Sequence, residues 1–185
     1  MNIFYLHERP FICAEYHCDK HVRKMIIESA QLLSTAHRLL DGYVTIEISK
    51  KGRRIKRWRL EDKELDSVLY KSTHYNHPSA KWVRESIIHY KWLFHLFCQL
   101  LNEFSYRFDK IHACSKLIPF LSQSPKNISD NGFISPPQAM PEYCKIKYHT
   151  IDAYRMYYLR EKNAYSSLYK TGNSILDKRF GFIQK

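Results

Sequence analysis

The segment from residue 17 to residue 40 limits the fold most, because its polar and apolar residues recur with the period of an α-helix. Five polar residues follow one another at spacings of four, three, four and three: His17, His21, Lys24, Glu28 and Gln31. At about 100° per residue they fall on one narrow arc, the polar stripe. Apolar residues occupy the other side: Val22, Met25, Ile26, Ala30, Leu33 and Ala36. We expect residues 17–40 to form one helix whose polar stripe lines a concave functional site, with a plain solvated face as the alternative.

The rest of the sequence also favours helix, and the predicted fold class is a mainly α, compact single domain over residues 1–185. The dipeptide Asp41-Gly42 is a stop signal for the first long helix. Pro78 suits the first turn of a second long helix, which apolar spacing extends to about Phe108. The proline-rich residues 113–145 predict a long loop of the kind that covers a site. A final helix is expected from about Thr150, on the spacing of Ile151, Tyr154, Tyr157, Tyr158 and Leu168.

Residues 43–60 predict a small β-hairpin inserted into the helical domain. Apolar and polar residues alternate over its first half, and Lys51-Gly52 supplies a turn. Residues 50–59 contain seven Lys or Arg around Trp58. This basic run is either plain solvated surface or a nucleic-acid contact surface. In the second case the expected phosphate contacts are Arg53, Arg54 and Arg57.

The charge balance favours an anionic partner. With 30 Lys+Arg against 18 Asp+Glu the formal net charge is +12, and we expect nucleic acid, in particular double-stranded DNA, rather than a membrane. No apolar run is long enough to cross a bilayer, and no signal peptide is visible. Five cysteines without a C-x-x-C pair favour reduced thiols. The expected location is the cytoplasm of a bacterium or of a phage-infected host.

A second group of polar residues surrounds the start of the second long helix. Asn76 or His77 is expected to cap it, and the helix dipole adds to side chains that could bind a phosphate. The candidate phosphate-binding residues are Asn76, His77, Lys81 and Arg84, with an ordinary capping loop as the alternative. His17 and His21 have the spacing of a helical metal pair, but the glutamate of an H-E-x-x-H motif is absent. We expect no metal and no other cofactor.

Several short motifs, in order along the chain, resemble the pyrimidine-dimer DNA glycosylases of the phage endonuclease V type. The segment DKHV at residues 19–22, with Glu28 seven residues after His21, is similar to their aspartate-x-histidine-aliphatic motif and catalytic glutamate. The other similar segments are Tyr5-Leu6-His7, Glu28-Ser29-Ala30-Gln31, Tyr75-Asn76-His77-Pro78, residues 103–110 and the group Tyr154, Arg155, Tyr157 and Tyr158. The resemblance covers residues 1–40, 73–112 and, more weakly, 150–162.

The resemblance implies a small helical fold that flips a nucleotide out of a DNA duplex. In that family the N-terminal α-amine attacks the deoxyribose C1′ and forms a Schiff base, while the helix glutamate drives base release and later β-elimination. The expected function is therefore a DNA glycosylase, with or without AP-lyase activity, acting on a damaged or modified pyrimidine. The catalytic candidates are Met1, Glu28 and His21. The candidates for substrate binding near them are Asn2, His17, Lys24 and Gln31.

The sequence departs from the family pattern at the amine and beside the glutamate. Asn2 disfavours removal of the initiator methionine, so the reactive amine would belong to Met1. Ile27 and Gln31 stand where the family has arginines. Two other functions therefore remain open: a base- or nucleotide-modifying enzyme of different chemistry, and a non-catalytic nucleic-acid-binding protein.

Overall fold

Helices form most of residues 1–161, the part of the chain that this computed structural model describes. The predicted fold class, mainly α with a small β-hairpin, is confirmed. The predicted domain over residues 1–185 and the predicted position of Leu168 in the final helix extend beyond the described residues. Within the described part, no helix has the length and apolar character needed to cross a membrane.

The elements follow one another along the chain with two strands near the middle. The helices are α1 (Pro10–Glu15), α2 (Asp19–Leu40), α3 (Lys63–Val68), α4 (Pro78–Glu85), α5 (Ile87–Phe108), α6 (Ile118–Leu121) and α7 (Thr150–Glu161). The antiparallel strands are β1 (Tyr43–Ile48) and β2 (Arg54–Arg59), and two short 3-10 helices span Ala113–Leu117 and Glu142–Cys144.

The apolar side of α2 lies at the centre of the core, as its sequence period predicts. Its fully buried apolar residues are Val22, Met25, Ile26, Ala30, Leu32 and Leu33. Each large side chain of this kind contributes roughly 1.5–3 kcal/mol on burial, and most of this surface packs against α5 and α4. The predicted stop at Asp41-Gly42 is confirmed, since α2 ends at Leu40. A Cβ on Gly42 would collide with the carbonyl oxygens of Arg38 and Arg59.

The start of α2 differs from the expected one, and the difference moves His17 out of the helix. A short turn separates α1 from α2, and Arg107 of α5 fixes it. Arg107 donates to the carbonyl oxygens of His17 over 2.6 Å and Glu15 over 3.0 Å. The same guanidinium is 3.2 Å from the carboxylate of Asp19. The predicted helix over residues 17–40 is therefore two residues too long at its start, because α2 begins at Asp19.

The second long helix is broken into α4 and α5 at Ser86, which is extended with φ −150° and ψ 141°. A distant segment bonds to the backbone groups that the break leaves unpaired. Ile87 N donates to Ser129 O over 2.8 Å. Asn131 Nδ2 donates to Glu85 O over 2.7 Å. The prediction of one continuous helix is therefore wrong at this point.

The hairpin packs onto the protein through its polar face. Its strands pair in register over all six residues of each strand, and Gly52 adopts φ 73° in the turn, where glycine carries no steric cost. Arg59 binds Glu47 on the neighbouring strand and Asp66 of α3. The apolar residues of the opposite face are exposed: Val44, Ile46 and Ile48.

Arg38 joins the end of α2 to the hairpin and to α3. Its side chain is only 2% exposed and forms an ion pair with Asp66. It also donates over 2.7–3.0 Å to four backbone carbonyl oxygens, those of Trp58, Asp66, Leu69 and Tyr70. Burial opposes ionisation of Asp66, but hydrogen bonds from Arg38, a backbone amide and Arg59 hold the pKa of this carboxyl below its usual range.

The segment predicted as a long loop, residues 113–145, begins as helix. The first 3-10 helix continues directly into α6, because Leu117 and Leu121 are buried against the core. Residues 122–141 are irregular, in agreement with their proline content. Part of this irregular segment reaches the N-terminus of the chain, where it helps to fix the site described next.

Candidate active site

The α-amine of Met1 lies beside the carboxylate of Glu28, which belongs to the polar stripe of α2. The amine nitrogen is 4.0 Å from Glu28 Oε2, and the Met1 side chain is 3% exposed. Asn2 N donates to the same carboxylate oxygen over 2.8 Å. Because the Met1 side chain packs against the core, moving the amine away would expose apolar surface. The structure thus holds a primary amine beside a carboxylate in a partly buried position.

The side chain of Asn2 holds the N-terminal segment in place. Its Nδ2 donates to Ala139 O over 2.8 Å, and its Oδ1 accepts from Ile3 N over 2.8 Å. The hydroxyl of Tyr154 lies 2.8 Å from the same Oδ1. These contacts make Asn2 a residue that positions the amine, and its predicted role in substrate binding stays a prediction.

His21 lies in an aromatic cluster beside the N-terminal segment. Its ring stacks on Phe4 with the centroids 4.5 Å apart, and its Nδ1 is hydrogen-bonded to the hydroxyl of Tyr158. Phe4 has φ 52°, a left-handed conformation that is strained for a side chain of this size. Tyr157 stacks on Phe4 as well, with centroids 5.9 Å apart. These contacts give His21 a packing role, and its predicted catalytic role stays a prediction.

His17 lies in the core and does not share the surface of the polar stripe. Its ring is fully buried, with Nδ1 2.7 Å from Cys13 O. Burial lowers the pKa of His17 to about 4, so the imidazole is neutral near pH 7. The predicted substrate-binding role of His17 is therefore wrong, because a neutral, enclosed ring cannot hold a phosphate. Among residues 1–161, no three His, Cys, Asp or Glu side chains converge as a metal site.

The other residues of the polar stripe stay on one side of α2. Lys24 Nζ is 3.3 Å from Glu28 Oε1, and the side chains of Lys24 and Glu28 are 61% and 13% exposed. Gln31 follows at the next turn and is partly buried. Glu28 therefore lies between two cationic groups, the α-amine of Met1 and the exposed amine of Lys24. The roles of Lys24 and Gln31 in substrate binding stay predictions.

His77 adds a hydrogen-bond donor to the surroundings of the amine. It caps α4, and its Nδ1 accepts from Ser79 N over 3.2 Å. Burial lowers the pKa of His77, the charges of the Met1 amine and His74 lower it further, and Glu28 opposes the shift. A neutral ring that accepts at Nδ1 carries its proton on Nε2. His77 can therefore donate a hydrogen bond without carrying a charge, and its predicted contact with substrate stays a prediction.

The backbone amides at the start of α4 are already engaged. Ala80 N and Lys81 N donate to His77 O over 2.9 and 3.0 Å, and Pro78 has no N–H. A phosphate at this helix terminus would have to rely on side chains. Asn76 and Lys81 are exposed there, and their predicted contacts with phosphate stay predictions.

Arg84 connects α4 to the loop that precedes it. Its Nη1 donates to Tyr75 O over 2.7 Å and to Ala80 O over 3.0 Å. Burial lowers the pKa of the Arg84 guanidinium, although Glu85 opposes this shift. These bonds give Arg84 a structural role, and its predicted contact with phosphate stays a prediction.

The arginines of the basic run differ in their surroundings. Arg53 and Arg54 are exposed near the tip of the hairpin, whereas Arg57 is partly buried on its polar face. Arg59 is engaged in the ion pairs with Glu47 and Asp66. Arg53 and Arg54 are accessible to a phosphate, and the phosphate contacts expected of all three predicted arginines stay predictions.

The positioning roles of four residues could not be read from the sequence: Arg107, Ala139, Tyr154 and Tyr158. Arg107, Tyr154 and Tyr158 belong to segments that resemble the glycosylase family. Neither those motifs nor the aromatic spacing of α7 reveals what these residues contact.

Comparisons of the chain with models of protein families, with curated proteins and with solved structures found no match. The case for a function therefore depends on the geometry of the site and on the motifs quoted above.

Proposed function

We propose that this protein is a DNA glycosylase that acts on a flipped, damaged or modified pyrimidine, with the amine of Met1 as the nucleophile. The observation that carries the proposal is the 4.0 Å separation of the Met1 amine and Glu28 Oε2. An α-amine is less basic than a lysine side chain, so a larger share of it is unprotonated and nucleophilic near neutral pH. A carboxylate at this position stabilises the positive charge that develops on a sugar as its N-glycosidic bond breaks.

The proposed reaction uses the Met1 amine as the nucleophile and Glu28 as the base. The unprotonated amine attacks C1′ while the C1′–N bond to the base breaks, and the departing base takes up a proton from water. The nitrogen then loses a proton to Glu28, and Glu28 passes this proton to O4′ as the C1′–O4′ bond opens. An imine forms between Met1 and C1′, and Glu28 is again a carboxylate. In the lyase step Glu28 accepts a proton from C2′, and the C3′–O bond breaks to release the 3′ phosphate. Water finally hydrolyses the imine and regenerates the amine.

The charge distribution supports a nucleic-acid substrate. The chain carries 30 Lys+Arg against 18 Asp+Glu, and Lys24 is an exposed cation beside Glu28. Cations near a reactive site attract a phosphate backbone and steer its approach. All five cysteines are free thiols, which supports the cytoplasmic location that is part of this proposal.

The proposal is tested by incubating the protein with duplexes that carry cyclobutane dimers, abasic sites or modified pyrimidines. Base release and strand cleavage are measured separately, because a glycosylase without lyase activity gives only the first. We expect base release from at least one duplex. Binding to every duplex without base release from any would contradict the proposal and would favour a non-catalytic nucleic-acid-binding protein. Conversion of a base without release would favour a base-modifying enzyme.

The basic run gives a first prediction about affinity. Replacing Arg53, Arg54 and Arg57 by Ala should weaken binding to an undamaged duplex and reduce the slope of log K against log salt by about one for each lost phosphate contact. The measurement is a salt titration by fluorescence anisotropy. Lys145→Ala, which removes an exposed cation paired with Glu142, is the control and should leave the slope unchanged. An unchanged slope in the triple variant would show that the basic run is ordinary solvated surface.

A further inference from the structure

The β-hairpin exposes its apolar face. Val44, Ile46 and Ile48 are 50%, 53% and 66% exposed, and they lie on the same side because alternate residues of a strand point the same way. Their cross-strand partners complete what we call the outer face: Trp58 opposite Val44, Lys56 opposite Ile46 and Arg54 opposite Ile48. One strand thus presents three aliphatic side chains, and the other presents two cations and an indole.

This arrangement reverses the usual one for a two-stranded ribbon on a domain surface. A ribbon normally covers the core with its apolar face and presents its polar face to water. Here the polar face packs inwards, where Arg59 binds Glu47 and Asp66. Thr45 Oγ1 and Arg57 Nε are buried on the same inner side. A contiguous exposed apolar strip on a folded domain marks an interaction surface.

We propose that the outer face enters the major groove of duplex DNA and contacts the 5-methyl groups of thymines. The major groove accepts a two-stranded β-ribbon, and its A·T pairs present the thymine methyl to apolar side chains. The surrounding charge selects this occupant, since five of the seven Lys and Arg in residues 50–59 are exposed: Lys50, Lys51, Arg53, Arg54 and Lys56. A second copy of the chain would bring the same cations and would be repelled. This inference rests on the proposed function for the identity of the partner as DNA.

The position of the outer face relative to the candidate active site fits this role. The ring of Trp58 lies against that of Tyr75, with centroids 4.8 Å apart. Tyr75 belongs to the loop that leads to His77. The charges of the Met1 amine and Glu28 act on the pKa of His77. The ribbon would therefore hold the duplex beside the flipped nucleotide and read the pairs that flank it.

The experiment compares the binding of an undamaged duplex that contains thymine with the same duplex in which every thymine is replaced by uracil. The two have the same charge and the same pairing, and they differ only in the methyl groups. We expect the protein to bind the uracil duplex about three- to tenfold more weakly. The variant Val44→Thr/Ile46→Thr/Ile48→Thr, which keeps β-branched side chains, should bind both duplexes alike. Ile111→Thr, which changes an exposed isoleucine outside the hairpin, should keep the difference.

Equal affinity of the unmodified protein for the two duplexes would overturn the inference, and this comparison does not depend on whether the triple variant folds. A concentration-dependent dimer in sedimentation that the triple substitution abolishes would instead assign the outer face to a second copy of the chain. Because uracil in DNA is itself a modified pyrimidine, the uracil duplex is recovered after binding and checked for intact bases. The comparison requires no reaction, so its result on intact duplexes is independent of base release. If the protein does not prefer the thymine duplex but does release a base, only this inference is overturned. If it prefers the thymine duplex but releases no base from any duplex, only the proposed chemistry is overturned.

Discussion

Replacing Glu28 by Gln is expected to lower base release by about 1,000-fold while DNA affinity changes by less than about threefold. Gln keeps the size of the side chain and can still accept the hydrogen bond that Asn2 N donates over 2.8 Å. It loses the negative charge beside the Met1 amine, 4.0 Å away, and it cannot take up a proton from C2′. Single-turnover kinetics of base release and anisotropy titrations on the same duplex separate the two effects.

The control for this variant is Glu64→Gln, which removes an exposed carboxylate from α3. It should leave base release unchanged within about twofold. Full activity of the Glu28→Gln protein on its true substrate would show that the carboxylate does not take part in the reaction. A parallel loss of affinity and activity would instead assign Glu28 to the folding of the N-terminal segment.

The second large effect is expected on stability. Arg38→Met should lower the free energy of unfolding by about 3–5 kcal/mol, because it leaves Asp66 without its main partner and removes the donors to several carbonyl oxygens. The guanidinium of Arg38 is only 2% exposed, so water cannot replace those bonds. Urea denaturation of both proteins measures the difference.

Arg59→Met is the matched control, since Arg59 also binds Asp66 but its side chain is 37% exposed. Its expected cost is at most about 1 kcal/mol. A double-mutant cycle with Asp66→Asn should show strong coupling between residues 38 and 66 and weak coupling between residues 59 and 66. A loss of less than about 1 kcal/mol in Arg38→Met would contradict the role that the structure gives this side chain.

The helix α2 could be predicted from the sequence because its apolar period is long and regular, but the inclusion of residues 17 and 18 in it was wrong. The period continues back to His17, but the chain leaves the helix there because Arg107, about ninety positions later, binds the carbonyl oxygens of the preceding turn. The break at Ser86 likewise depends on Ser129 and on Asn131. No local signal predicts a boundary that a distant segment creates.

The candidate site was predictable only in part. Glu28 could be identified as a candidate from the sequence because it lies on the polar stripe. The resemblance to a glycosylase family links it to the N-terminal amine. The contacts that hold that amine could not be predicted, because Asn2 binds Ala139 and Tyr154, which are distant in the sequence. The alternation in β1 predicts a ribbon with two faces, but it does not tell which face packs inwards.

The most direct test of the proposed nucleophile is reductive trapping on DNA that contains an abasic site. The protein is incubated with the duplex and sodium borohydride, and the adduct is digested and located by mass spectrometry, which also establishes that Met1 is retained. We expect a covalent adduct on the α-amine of Met1, formed in a 1:1 ratio and prevented by prior acetylation of that amine. An adduct on Lys24 instead, or no adduct on a duplex that the protein binds, would contradict the assignment of the Met1 amine as the nucleophile.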